Sequence, residues 1–279
     1  MKWLPVLFSL LLIGAVAVMV IPGHTDPGGD WNGRDFSTIG DIPPPEGYET
    51  VSVDSGSFAA WIRSLPLREE GTPVILYNGK PKPSQQYHYA VLDLEIGEKD
   101  LQQCADAAIR FRAEYLYSQK KFDSISFNFT SGDTASFRKW IEGYRPRVNG
   151  NHVSWTKSAE IDSSYGTFKK YLDTVYMYAG SYSLSKQLMT KDDTDSIEIG
   201  DLFLEGGFPG HTVIAVNVAS HKETGKKIFL LAQGFMPAQD IHIVKNLNDP
   251  GLSPWYSTDF GDSLDTPEWT FDRNTLMTF

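Results

Sequence analysis

Residues 197–235, IEIGDLFLEGGFPGHTVIAVNVASHKETGKKIFLLAQGF, hold three strand-length apolar runs, LFLE, HTVIAVNVAS and KKIFLLAQGF. Gly206-Gly207 and Pro209-Gly210 separate the first two, and Glu223-Thr224-Gly225 makes a turn between the last two. The chain upstream of this block reads differently. Ser57 is placed to cap SFAAWIRSLPL, where Phe58, Trp61, Ile62 and Leu65 share one face and Pro66 ends the helix. TPVILYNGKPKP reads as a strand entering an Asn78-Gly79 turn, and YHYAVLDLEIG as a second strand up to Gly97. Asp100 is placed to cap LQQCADAAIRFRAEYLYSQKK, a helix of about four or five turns. Ser124 to Asn128 alternates as a strand and leads into a helix through Phe137, Trp140 and Ile141 that Gly143 stops. YGTFKKYLDTVYMYAGSYSLSKQL is one further long helix, and residues 246–279 read as a segment wrapped over the sheet. The expected class is α+β and papain-like, with N-terminal helices packed on a C-terminal, mainly antiparallel sheet.

With 279 residues, 41% of them hydrophobic, the chain is long enough for a sizeable core. Its formal charge of -10 argues against nucleic acid as a partner, because phosphate recognition draws on basic surface. Lys2 precedes an uninterrupted apolar run from Trp3 to Ile21, the make-up of an export signal. The run is close to the roughly 20 residues that cross a bilayer and has no clear small-x-small cleavage site, so it reads as a signal peptide or an N-terminal membrane anchor. The expected organisation is therefore residues 1–22 as that segment, 23–47 as a Gly/Pro-rich linker, and 48–279 as one α+β domain. The expected location is outside the cytoplasm, periplasmic or membrane-anchored and facing the exterior.

Cys104 is the chain's one cysteine, which excludes an intramolecular disulfide framework and a cysteine-cluster metal site. It lies early in its helix, where amide dipoles favour a thiolate. His211 follows the Gly206–Gly210 turn and opens a strand, a suitable post for a general base. Gln233, on the strand returning after Gly225, is placed to orient the second imidazole nitrogen. The Gln103 amide is available to face an oxyanion, and Asp201 sits on the strand before His211, where it either supports the site or ties the turn. Against this stands the ordinary burial of a free cysteine: Leu101, Cys104, Ala108, Phe111 and Tyr115 share one helix face, as in a core-packed helix. The remaining histidines, His88, His152, His221 and His242, show no metal-binding spacing, and no Walker, dinucleotide or G-x-S-x-G motif occurs. No metal or cofactor is expected.

The blocks LQQCADAAIRFRAEYL, GDLFLEGGFPGHTVIAVNVA and LLAQGFMPAQDIHI resemble those of a family of exported bacterial proteins, the domain of unknown function 4846. More distantly, Gln103-Cys104 opening a helix, and Gly200-Asp201-Leu202-Phe203 followed by Gly210-His211, resemble the papain-like cell-wall cysteine amidases and endopeptidases. That resemblance implies hydrolysis of peptidoglycan-like amide bonds, with Cys104 as nucleophile, His211 as base and Gln233 as the orienting residue. Ala105-Asp106 departs from the pattern after the thiol, and Asp106 would oppose thiolate formation if it faced the same way. The rival expectation is a non-catalytic envelope protein of the same fold that binds a cell-envelope glycan or peptide in an aromatic-lined cleft.

Overall fold

The computed structural model describes residues 36–279. In chain order its strands are β1 (Tyr48–Thr50), β2 (His88–Val91), β3 (Ser126–Asn128), β4 (Thr134–Ser136), β5 (Tyr144–Asn149), β6 (His152–Lys157), β7 (Met189–Thr190), β8 (Leu202–Glu205), β9 (His211–His221), β10 (Lys227–Gln233), β11 (His242–Val244), β12 (Tyr256–Ser257), β13 (Ser263–Asp265), β14 (Thr270–Asp272) and β15 (Leu276–Thr278). The helices are α1 (Phe58–Arg63), α2 (Cys104–Ser118), α3 (Phe137–Ile141), α4 (Tyr165–Tyr178) and α5 (Ser181–Gln187). A nine-stranded antiparallel sheet runs β2-β11-β10-β9-β8-β15-β7, with β1 added to β9 and β12 to β10; β3–β4, β5–β6 and β13–β14 form separate hairpins.

The β9–β10 hairpin is the spine of the sheet. Gly225, at φ 71, supplies the left-handed residue of its turn, and its N–H donates to the His221 carbonyl. β9 is buried from His211 to Ala219, which accounts for its nearly continuous apolar sequence. Helices α1 and α2 pack against β9. Arg63 at the end of α1 donates to the Asn217 side chain and to the Val51 and Val218 carbonyls, fixing that helix to the sheet. Phe203 of β8 and Phe229 of β10 meet with ring centroids 5.6 Å apart, and Phe271 of β14 and Tyr256 of β12 extend this aromatic layer. Burying each such ring contributes on the order of 2–3 kcal/mol.

Helix α2 is buried around most of its circumference, and Ala105, Ala107 and Ala108 keep it thin where it meets the sheet. Its N-terminus lies so close to the end of β10 that a Cβ on Gly234 would stand 2.7 Å from the Gln103 carbonyl oxygen. Only glycine accommodates that approach.

The α+β class holds, with helices interspersed along the chain and a largely open antiparallel sheet. The segregation expected between helices and sheet does not: β1 and β2, from the first third, pair with β9 and β11. Helix α2 begins at Cys104 rather than Leu101, because the Asp106 carboxylate accepts the Gln103 N–H at 3.0 Å while Asp100 is turned to the Gln103 amide and the Ala238 N–H. TPVILYN forms no strand; its backbone bonds to Lys80 and Ala238 around the expected Asn78-Gly79 turn. The long helix expected from Tyr165 divides at Ala179-Gly180 into α4 and α5. The C-terminal segment covers the sheet with β13–β14 but also enters it, since β15 lies between β8 and β7. Within the Gly/Pro-rich stretch, Ile39 and Ile42 are buried in the core, and the Pro43 carbonyl accepts the Trp255 indole N–H.

Among the described residues no helix is long and apolar enough to cross a membrane. The described residues therefore supply no membrane anchor, against the expected membrane association; the apolar run of residues 1–22, on which the export and anchor expectations rest, lies outside the described residues.

Replacing Gly234 with alanine is expected to push α2 off β10 and lower stability by about 1–3 kcal/mol. Gly180→Ala, at an extended φ of 173 with nothing within 4 Å of the new methyl, serves as the control and stays within about 0.5 kcal/mol of the parent. Denaturant midpoints of the two variants check this; equal midpoints would refute the close-approach argument.

Candidate functional site

Antiparallel pairing puts Gln233, the last residue of β10, directly opposite His242 of β11, and the β9–β10 register ends at Ala232 opposite Ile214, so that His211 at the start of β9 reaches Gln233 diagonally through its side chain. These three polar side chains therefore meet at one end of the sheet. His211 Nε2 donates to Gln233 Oε1 at 2.8 Å, and Gln233 Nε2 lies 2.6 Å from Glu268 Oε2 and 3.3 Å from His242 Nε2. His242 Nδ1 donates in turn to the Asp240 carbonyl at 2.9 Å. Gln233 thus assigns both tautomers: Nε2 carries the proton in His211, and Nδ1 carries it in His242.

Glu268 accepts a second bond, from Lys82 Nζ at 2.5 Å, in an ion pair of which the lysine is only 6% exposed. Burial lowers the Lys82 pKa, and the Glu268 carboxylate partly restores it. Phe235, Trp269 and Phe271 surround the His211 imidazole with ring centroids 5.1, 5.5 and 5.8 Å away. The Trp269 indole N–H donates to Glu205 Oε2 at 3.0 Å, fastening the C-terminal segment to the end of β8, where Glu205 pairs with His211. Enclosed this way, His211 is pushed down to about 4 by burial, and His242 to about 3 by burial and the nearby Lys82 charge.

Cys104, half-buried at the start of α2, meets the backbone N–H groups of Ala105, Thr212 and its own residue. Burial and the Asp106 carboxyl outweigh these amides and push the thiol up to about 11. Asp106 is itself pushed up to about 8 by burial. Cys104, His211 and Gln233 therefore share one end of the sheet, since Thr212 follows His211 in β9 and Gly234 follows Gln233. Of the other two expected residues, Gln103 lies beside Gly234 with its backbone N–H occupied, and Asp201 stands apart. The Gln103 N–H is taken by Asp106 and is not free to face an oxyanion. Asp201 accepts Lys191 Nζ at 2.7 Å and the Glu198 N–H at 2.8 Å beside Ala215, four residues into β9 from His211.

This geometry corrects the expectation of a cysteine amidase or peptidase. No hydrogen bond joins Cys104 to His211 among the described residues, and near neutral pH the thiol is protonated and the imidazole neutral, so neither half of a thiolate–imidazolium pair is populated. No group of three or more His, Cys, Asp and Glu side chains that could hold a metal ion converges among the described residues, and the chain has no second cysteine. Lys82, Glu268 and Trp269, which complete the cluster, carry no local sequence motif. His242 was legible only through its register opposite Gln233.

Residues 40–278 match the family model of the domain of unknown function 4846. The chain belongs to that family. No curated protein and no solved structure matches the chain, so a papain-like relationship gains no support beyond the two short motifs. The family 4846 match spans every element from β1 to β15, and with them the whole Gln233 cluster.

The perturbed groups set a pH dependence. Unfolded, His211 and His242 take up protons below about 6.5, whereas folded they do so only near 4 and 3, so acidification through that window destabilises the protein. Asp106 acts in the opposite sense: folded it stays protonated up to about 8, while unfolded it ionises near 3.8, so stability is lost as pH rises between these values. Two groups oppose one below about 6.5 and Asp106 acts alone above it, placing maximal stability near pH 6.5. Asp106→Asn should flatten the fall between about pH 6.5 and 8 and steepen the acid limb, where Asp106 no longer offsets the two imidazoles. Denaturant midpoints across pH test this, and an unchanged alkaline slope in the variant would refute the role of Asp106.

Proposed function

We propose that this member of family 4846 is a non-catalytic binding protein that holds a peptide at the rim above the Gln233 cluster. The observation that carries the reading is a run of exposed or half-exposed apolar side chains around that end of the sheet. Phe208 is 81% exposed and Met236 60% exposed. Phe208 lies with its ring centroid 5.8 Å from that of Tyr182, at the start of α5. Glu205, at the head of the same loop, is bonded to Trp269, whose ring neighbours His211; Phe235, beside Met236, flanks the imidazole from another side. Apolar area of this kind is costly to leave in water and marks interaction sites.

The rim favours apolar peptide side chains because Phe208 and Met236 present unbranched or flat apolar groups, and a thioether adapts to varied partners. The polar floor supports binding rather than turnover. The Gln233 amide, His211 Nε2 and both His242 nitrogens are engaged by one another, by Glu268 and by the Asp240 carbonyl, so they offer a rigid surface.

Selection of displayed dodecapeptides on the immobilised full chain tests the reading. Selected peptides are expected to be rich in aromatic or aliphatic residues and to be recovered uncut by mass spectrometry. They should lose at least about tenfold in affinity toward a Phe208→Ser/Met236→Ser double variant, about 1.4 kcal/mol or more. Equal enrichment on that variant, cleavage of the peptides, or binding of chitooligosaccharides in place of peptides would overturn it.

A further inference from the structure

The β5–β6 hairpin forms a two-stranded sheet of its own, apart from the nine-stranded one. Its register is unbroken from Tyr144 opposite Lys157 to Asn149 opposite His152, where Gly150 and Asn151 close a two-residue turn. The pair that closes such a turn exchanges both of its N–H···O bonds inside the hairpin, and the pairs beyond it alternate. The backbone groups of Asn149–His152, Arg147–Ser154 and Arg145–Thr156 therefore point inward, and those of Val148–Val153, Pro146–Trp155 and Tyr144–Lys157 point outward. Pro146, which has no N–H, stands at an outward position, where the missing donor costs the hairpin nothing.

The two outer edges differ. Along β5, Pro146 interrupts the row of donors and α3 packs against the strand. Along β6 the row is complete: among the described residues, no outward N–H or C=O of Val153, Trp155 or Lys157 has a partner. The strand runs from His152 to Lys157 without proline or bulge, and its outward residues are exposed or half-exposed. Edges of this kind are templates for pairing, and proteins ordinarily blunt them. A two-stranded hairpin is also marginal as a sheet until further strands join it.

We infer that β6 pairs antiparallel with β6 of a second copy of this chain, closing a two-fold dimer through a continuous sheet β5-β6-β6-β5. The backbone selects the register. Only a two-fold axis through Trp155 engages all the outward residues of both strands, setting Trp155 opposite Trp155 of the second copy and Val153 opposite Lys157 of the second copy. The side chains suit that register. On the exposed face Ser154 meets Thr156 of the second copy, a favourable hydroxyl pair, and on the half-buried face the two indoles meet, each already backed by Phe129 at 6.3 Å. Lys157 faces valine and lies about 14 Å from Lys157 of the second copy, beyond the Debye length of about 8 Å. The nearest arginines of the two copies, Arg147 and Arg145, are separated by three strand spacings, also about 14 Å. No acidic side chain lies between Tyr144 and Lys157, so two chains that each carry -10 meet here without carboxylate repulsion. With β5 closed by Pro146, each chain offers one edge of this hairpin, which gives a closed pair rather than a fibre. None of these residues belongs to the peptide rim, so the two readings stand or fall separately.

Sedimentation equilibrium of the full chain is expected to show a dimer with a micromolar dissociation constant, in keeping with so small an interface. Hydrogen exchange at the Val153, Trp155 and Lys157 amides should slow as protein concentration rises. Ser154→Glu/Thr156→Glu, which sets carboxylates against carboxylates across the axis, is expected to weaken the dimer at least about tenfold. Ser154→Glu/Thr156→Lys, which sets a carboxylate against an ammonium twice, should pair at least as tightly as the parent. Both variants change exposed positions only and should keep the parent's circular dichroism. A monomer throughout the micromolar range, equal association of the two variants, or protection of these amides at every concentration, which would place another segment of the same chain on the edge, would overturn the inference.

Discussion

The Gln233 side-chain amide joins four parts of the chain that would otherwise meet as incompatible polar groups. Its oxygen accepts from His211 of β9, and its nitrogen faces His242 of β11 and donates to Glu268 of the C-terminal segment. A carboxylate at this position would repel Glu268, and an apolar residue would strand the Nε2 atoms of two buried imidazoles, at about 1–3 kcal/mol for each orphaned buried group. A neutral amide serves because it donates and accepts at once. Lys82 supplies the charge balance for Glu268, so the cluster is closed electrostatically as well as by hydrogen bonds.

That closure decides what the site can do. Imidazoles held neutral by burial, and a thiol held protonated by burial and a neighbouring carboxyl, form a stable wall rather than a proton relay. Reactivity is suppressed by the same desolvation that makes the wall rigid. The features left to engage a partner lie outside it, on the apolar Phe208 and Met236 loops.

Local patterns were readable where the cause is local. Ser57 caps α1 by accepting the Ala60 N–H, and the Gly225 turn closes β9 on β10. That turn brings His211 and Gln233 toward the same end of the sheet, but a bulge between Leu230 and Leu231 sets how they meet. The start of α2 was misplaced because Asp100 and Asp106 are both capping residues by type, and only the tertiary bond from Asp100 to Ala238 selects between them. The strand expected at TPVILYN fails for a similar reason, since its backbone partners come from Lys80 and from Ala238, far along the chain. Glu268 and Trp269 were invisible because they reach the site through a segment that shows only turn chemistry. The thiol was misread because position in a helix reports the dipole but not the burial that outweighs it.

The pairing of β1 with β9 and of β2 with β11 joins strands of the first half of the chain to a sheet built from the second. The tip of the β5–β6 hairpin, at Gly150 between exposed neighbours, marks the boundary between those halves in sequence but not in space. A backbone break there would divide the polypeptide into a piece carrying β1, β2, α1 and α2 and a piece carrying β7 to β15. The first piece would still add β1 and β2 to the sheet of the second and lay α1 and α2 against its β9, so the two pieces are held by strand pairing and helix packing as well as by the chain.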